Sequence, residues 1–231
     1  MSSSQKRYLF GRRTASVFDP NFKFQIDTRN TSTGSSASNQ YKIPLLSEQT
    51  EPITIHWGDG SSDLITTWDQ SETTHTYAVE GVYNIIVDGV VNGFQYNNIG
   101  DKLKQLDITN WGRFNCLLPS VFYGCVNLTS LAEDIGWINS LLNGDSMFRD
   151  NSLTSLPDVM ELPLLTLGDG MFRDNTINTT RYSQLLIDLE NLNPNDNVTF
   201  DGGNSKYNSA GEIARDALIA RGWIITDGGL E

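Results

Sequence analysis

Alternation of apolar and polar side chains organises the first hundred residues. Phe22-Lys-Phe-Gln-Ile26 puts Phe22, Phe24 and Ile26 on one face, the signature of a half-buried strand. Thr28–Asn39 is rich in Ser, Thr, Asn and Gly and reads as a loop. Tyr41-Lys-Ile-Pro-Leu45 alternates again. Ile53-Thr-Ile-His-Trp57 then places Ile53, Ile55 and Trp57 on one side, with Thr54 and His56 on the other. Gly58-Asp59-Gly60 ends that strand in a turn for which glycine supplies positive φ. Thr74–Tyr77 is a short strand, Glu80-Gly81 a turn and Val82–Val87 a further strand. Short strands separated by frequent turns predict an antiparallel β-sandwich over residues 21–98.

After residue 100 the two-residue alternation gives way to a longer period. Leu-x-x-Leu recurs as Leu103–Leu106, Leu128–Leu131 and Leu153–Leu156, each 25 residues after the last. A second marker recurs as Val121-Phe122-Tyr-Gly-Cys125, Met147-Phe148-Arg-Asp-Asn151 and Met171-Phe172-Arg-Asp-Asn175. One such unit cannot bury its own apolar face, so the units are expected to stack over residues 99–178. Each would hold a short strand at Leu-x-x-Leu. Phe122, Phe148 and Phe172 occupy equivalent places, as do Cys125, Asn151 and Asn175. A polar side chain at that last position can bond the backbone of the neighbouring turn, which makes Cys125 structural rather than reactive.

The end of the chain leaves the repeat. Thr180–Asn193 spaces Tyr182, Leu185, Leu186 and Leu189 as a helix does. Val198–Phe200 reads as a strand, and Ser209–Arg221 as a second helix with Ile213, Ala217, Leu218 and Ala220 on its apolar side, closed by Gly222. Trp223–Thr226 is a last strand. Residues 179–231 therefore read as an α/β cap on the stack.

Charge changes the picture at one end. Met1–Asn30 carries six basic side chains against Asp19 and Asp27, a net +4 within a chain of net −12, which leaves −16 for the rest. Residues 1–20 read as a basic arm, with Lys6, Arg7, Arg12 and Arg13 as candidate docking contacts for an acidic partner. The acidic remainder argues against nonspecific binding to nucleic acid or anionic membranes. No run approaches the ~20 apolar residues of a membrane span, and no secretory signal is expected. Cys116 and Cys125 do not make a disulfide framework, and no Cys/His cluster suggests a metal. Asp59 and Asp63 lack the full set of oxygen ligands that a calcium site needs. No metal and no cofactor is expected. Asp201-Gly-Gly-Asn lacks Walker spacing.

Trp57, Gly58-Asp59-Gly60, His75-Thr-Tyr77 and Gly81-Val-Tyr83 resemble, in order and spacing, the polycystic kidney disease (PKD) domain. That resemblance implies an immunoglobulin-like sandwich in which Asp59 bonds turn amides while His75 and Tyr77 brace the sheets. Leu103–Trp111 and Phe122–Leu131 resemble leucine-rich repeats of the BspA type. The whole chain thus reads as β-rich and multidomain: a PKD-like sandwich, a short leucine-rich-repeat solenoid and the cap.

Sandwich, repeats and the ending Val198–Gly229 together resemble virion proteins of tailed bacteriophages. The resemblance implies a non-enzymatic accessory protein on the capsid or tail. It would be made in the host cytoplasm, held by its arm to other virion proteins, and turned outward to reinforce the particle or to bind a host glycan or surface protein. Lys104, Thr129 and Thr154, flanking the repeat strands, are the candidate contacts on the repeat face. A bacterial surface adhesin and a phage tail depolymerase are the competing expectations.

Overall fold

A computed structural model describes residues 18–231. Its strands and helices follow in the order β1 (Phe22–Asp27), β2 (Gln40–Lys42), β3 (Ile53–His56), β4 (Ser62–Ile65), β5 (Thr74–Thr76), β6 (Val82–Asp88), β7 (Gln105–Asn110), β8 (Leu167–Gly168), α1 (Thr179–Leu192), β9 (Thr199–Asp201), α2 (Ser209–Ala220) and β10 (Ile224–Thr226). The fold is β-rich. No helix among the described residues is long and apolar enough to cross a membrane.

Five antiparallel strands make the first sheet, in the order β4-β3-β6-β1-β7. The alternation in β1 works as expected: Phe22, Phe24 and Ile26 are buried and the residues between them half-buried. β2 and β5 form a separate two-stranded sheet. Tyr41 of β2 reaches across to Trp57 and Phe24, with ring centroids 6.4 and 6.1 Å away. Alternation did not reveal β4: Ser62-Asp-Leu-Ile65 buries only Ile65 and leaves Leu64 exposed, as an edge strand can.

Hydrogen bonding does not stop at the expected boundary near residue 98. β7 pairs with β1, so the first Leu-x-x-Leu segment ends in a strand of the first sheet. Tyr96 and Asn98 donate to the carbonyls of Val121 and Tyr123, 25 residues on. The same step repeats from Ser120, Phe122 and Gly124 to Asp145, Met147 and Arg149. A step of 23 follows, from Gly144, Ser146, Phe148 and Asp150 to Leu167, Asp169, Met171 and Arg173. Successive passes of the chain are thus bonded in register.

The turns that allow this need left-handed backbone at recurring corners, at Ser120, Ser146 and Gly170 and again at Asn98, Gly124, Asp150 and Asp174. Most of these are Gly, Asn or Asp, the residue types that tolerate this conformation best. Inside, the rings of Phe122, Phe148 and Phe172 stack almost parallel at 5.7 Å intervals. The buried apolar side chains from Phe22 to Trp223 form one connected core.

Three expected elements come out differently. Leu128–Leu131 contributes only a single bridge, Asp107 to Ser130, and Leu153–Leu156 forms no strand. Isolated bonds carry the contact there, such as Thr129 N–H to Leu106 O and Ser152 N–H to Leu128 O. In α2 the buried side is Gly211, Ala214 and Leu218, while Ile213 is 75% exposed. The helix packs on α1 so closely that a Cβ at Gly211 would meet Ser183 at 3.0 Å, which turns Ile213 outward. β8, β9 and β10 form a parallel sheet that ends the stack.

Candidate functional site

Asp59, Ser61 and His75 bring a carboxylate, a hydroxyl and an imidazole together. Gly58 makes the turn possible: it has φ +84°, and a Cβ there would stand 2.6 Å from Asn84 O. Asp59 Oδ1 accepts from Ser61 N–H at 2.9 Å and from Ser61 Oγ at 2.6 Å. Asp59 Oδ2 lies 2.8 Å from His75 Nε2, and Ser61 Oγ lies 3.5 Å from the same nitrogen. A nucleophilic relay needs the imidazole between hydroxyl and carboxylate, one nitrogen to each. Here both crowd Nε2, and the Ser61 hydroxyl donates to the carboxylate instead. Burial pushes the Asp59 carboxyl up, but the Ser61 hydroxyl and amide and His75 outweigh it and hold it at about 2, far from the range of a general base near neutrality.

The rest of the cluster is bracing. His75 lies parallel to Trp57 at 4.9 Å and edge-on to Tyr77 at 4.5 Å. Tyr77 donates its hydroxyl to Trp57 O at 3.0 Å and stacks on Tyr83 at 3.8 Å. Trp57 Nε1 donates to Asp63 at 2.7 Å. Gly60 takes φ +95°, and Gly81 N–H donates to Thr28 Oγ1.

Lys104, expected on an exposed repeat face, is fully buried. Its segment is not a solvated strand but a helical turn preceding β7, which directs the side chain beneath the loop before β2. Nζ donates to Ser36 Oγ at 2.7 Å and to the carbonyls of Ser36, Ala37 and Gln40 at 3.1, 2.8 and 2.7 Å, with Asp101 Oδ1 at 3.6 Å. Asp101 in turn accepts from Ser36 N–H, Ser36 Oγ and Lys42 N–H, each at 2.6 Å. A buried ammonium survives only when its protons are taken up like this. Lys104 is therefore a staple that fastens the polar loop 28–39 to the start of the stack.

Thr129 and Thr154 are exposed and lie on neighbouring passes. Thr129 Oγ1 and Ser130 Oγ both donate to Asp107 Oδ1, at 2.9 and 2.8 Å. A small pocket of about 90 Å³ opens beside them, between Thr129–Leu131 and Ser155–Pro157. A larger one of about 500 Å³ continues from Ser155 to the first turn of α1. Where the first sheet meets the stack there is another opening, of about 460 Å³, walled by Pro44, Leu45, Trp68, Tyr96 and Ile99. Trp68 and Ile99 stand 42% and 70% exposed at this groove.

The equivalent asparagines do what their position suggested. Asn151 Nδ2 donates to Phe122 O at 2.8 Å and Asn175 Nδ2 to Phe148 O at 2.7 Å, while Asn175 Oδ1 accepts from Leu153 N–H at 3.0 Å. Cys125 is fully buried, which pushes its thiol well above the usual range and away from thiolate chemistry. Two carboxyls meet at Asp150 and Asp174. Burial and direct contact with Asp174 raise Asp150. Carboxyls in contact leave no room for the sugar that a glycosidase seats between them.

Lys6, Arg7, Arg12 and Arg13 lie outside the described residues. Sequence reading missed Asp101, Arg181 and Gln184. Only Arg181 left a sign, as a charged residue between Thr180 and Tyr182 at the start of an amphipathic helix. No family model, curated protein or solved structure matches this chain.

Proposed function

We propose that this chain is a non-enzymatic attachment and display protein of a tailed-phage particle. In this reading a PKD-like sandwich is continued by leucine-rich repeats of the BspA type and an α/β cap. The basic arm, with Lys6, Arg7, Arg12 and Arg13, docks on other virion proteins, and the repeat face with Thr129 and Thr154 turns outward to a host glycan or surface protein. No nucleic acid, membrane insertion, metal or cofactor enters this reading.

One observation carries it. The groups best suited to chemistry are spent on one another: Asp59 on Ser61 and His75, Lys104 on carbonyls, Asn151 and Asn175 on neighbouring passes. What the fold offers to the outside is a regular, bonded scaffold with Thr129, Ser130, Thr154 and Ser155 exposed on neighbouring passes. That suits holding a surface in place more than turning over a substrate.

The test is location. Immunogold labelling of intact particles should place the protein on the capsid or tail, and deletion of residues 1–20 should abolish its incorporation while leaving a soluble, folded remainder. Labelling confined to the bacterial envelope would overturn the virion reading, and normal occupancy of the truncated protein would overturn the anchoring role of the arm.

A further inference from the structure

The groove where the first sheet meets the stack is lined mainly by apolar side chains. Pro44, Leu45, Leu46, Trp68, Tyr96 and Ile99 wall about 460 Å³. Trp68 and Ile99 keep much of their surface open to solvent there. The polar groups that share the wall are spent on the fold. Asp101 accepts from Ser36 and from the Lys42 amide, and Gln95 donates Nε2 to Pro119 O at 2.7 Å. The Tyr96 hydroxyl is bonded to that of Tyr41 at 2.8 Å. An occupant finds little to hydrogen-bond here and much to bury, which selects apolar side chains.

The sequence contains such an occupant. Tyr8-Leu9-Phe10 is a run of three large apolar residues inside the basic arm. A run of that kind is a liability in water unless something covers it. Lys6 and Arg7 precede it, and Arg12 and Arg13 follow it. The groove has the complementary pattern. Glu48 lies two residues beyond Leu46 and Asp69 adjoins Trp68, both exposed, against one exposed cation in the lining, Lys42. Residues 1–17 carry four basic and no acidic side chains, so in a chain of net −12 the remainder carries −16.

Reach decides whose groove the run can enter. Phe18, where the described residues begin, is exposed, and Phe22 packs on Phe94 with ring centroids 5.6 Å apart. Phe94 bridges to Leu45 in the groove wall. The start of β1 is thus two packed side chains away from the groove. The eight to ten residues from the run to Phe18 span up to about 26–36 Å when extended, ample for that path. So short a tether gives the run a local concentration in the millimolar range, on the order of a thousand times what a second copy offers in micromolar solution.

We propose that Tyr8, Leu9 and Phe10 dock into the groove of their own chain, covering Trp68 and Ile99, with the flanking cations of the arm meeting Glu48 and Asp69. This goes beyond the virion reading and holds wherever the protein resides. In the free protein the groove is the resting place of the arm, and a partner that takes the arm must compete with it.

Disulfide trapping on the full chain tests the docking. Gly11→Cys lies just past the run, and Thr33→Cys is an exposed position of the groove wall. The native Cys116 and Cys125 are buried and stay out of the reaction. Under mild oxidation the pair should close within one chain, as a monomer of altered mobility on a non-reducing gel, at a rate unchanged by about tenfold dilution. Gly11→Cys with Ile213→Cys, on α2, should close at least about tenfold more slowly. The groove pair should slow by a similar factor in Tyr8→Ser/Leu9→Ser/Phe10→Ser, and in Trp68→Ser with unchanged circular dichroism. Linked dimers whose share rises with concentration would give the groove to a second copy and overturn the proposal. Closure no faster than with Ile213→Cys, or undiminished by the three serines of the arm, would overturn it as well.

Discussion

Replacing Lys104 with methionine tests the staple most directly. Methionine keeps the unbranched stem and removes the charge. Four hydrogen bonds donated by Nζ disappear, three of them to the carbonyls of Ser36, Ala37 and Gln40, and Asp101 keeps its charge on a side chain that is 1% exposed. Breaking a buried ion pair from one side costs about 3–5 kcal/mol. Asp101 retains three donors at 2.6 Å, which places this case at the low end, about 3 kcal/mol.

With a urea m-value of about 2.5 kcal/mol per molar for a chain of this size, the midpoint should fall by about 1.2 M. The partner variant Asp101→Asn removes the other charge. The double variant should be less destabilised than the sum of the singles by more than about 1 kcal/mol, because neither then leaves an unmatched ion. Lys42→Met, at an exposed lysine next to the same loop, should move the midpoint by less than about 0.2 M. A Lys104→Met midpoint within 0.4 M (about 1 kcal/mol) of the parent, or strictly additive singles, would refute the staple.

Three further outcomes follow from the same geometry. Asn175→Ala should cost about 2–3 kcal/mol in chemical denaturation and Asn151→Ala about 1 kcal/mol less, since Asn151 Oδ1 is buried without a partner while Asn175 Oδ1 holds Leu153 N–H; equal losses would count against the ladder. Gly203→Ala should be far more disruptive than Gly34→Ala. Both have positive φ, but a Cβ on Gly203 would stand 2.2 Å from Phe172 O whereas Gly34 faces open space, so thermal melting should separate a loss above about 3 kcal/mol from one near 1 kcal/mol. Asp59 is held at about 2 when folded, below its unfolded value near 3.9. Its stabilisation is therefore complete above pH 4 and lost as the pH falls towards 2; stability of the parent should decline more steeply over that window than that of Asp59→Asn, and parallel profiles would sink the assignment.

Much of this fold can be read from residue order. The alternation of Phe22, Phe24 and Ile26 and of Ile53, Ile55 and Trp57 named the buried faces correctly because both strands have one wet and one dry side. The recurring Phe122, Phe148 and Phe172 named the stacked interior because a period shared by apolar side chains survives only if the backbone repeats with it. What stayed hidden were long-range pairings of polar groups. Nothing local marks Lys104 as buried: lysine between two leucines reads as a solvent-facing residue until Ser36, Ala37 and Gln40, some 65 residues earlier, close over it. Nor could spacing tell that Ile213 faces outward, since Gly211 rather than an apolar side chain meets α1.

The same distinction bears on where function can reside. A side chain whose bonds are complete within the fold is fixed by folding and has little left to offer a partner. Lys104, expected as a surface contact, is of this kind, as are Asp59 and Asn175, expected as structural. Thr180 and Gln184 looked ordinary, yet they stand exposed at the rim of an opening lined also by Ser155 and Arg181. The unmet hydrogen-bonding capacity of a site, not the reactivity of its residue types, is what a binding partner completes. That capacity depends on which groups the chain has already paired with itself, so it emerges only after the passes have stacked.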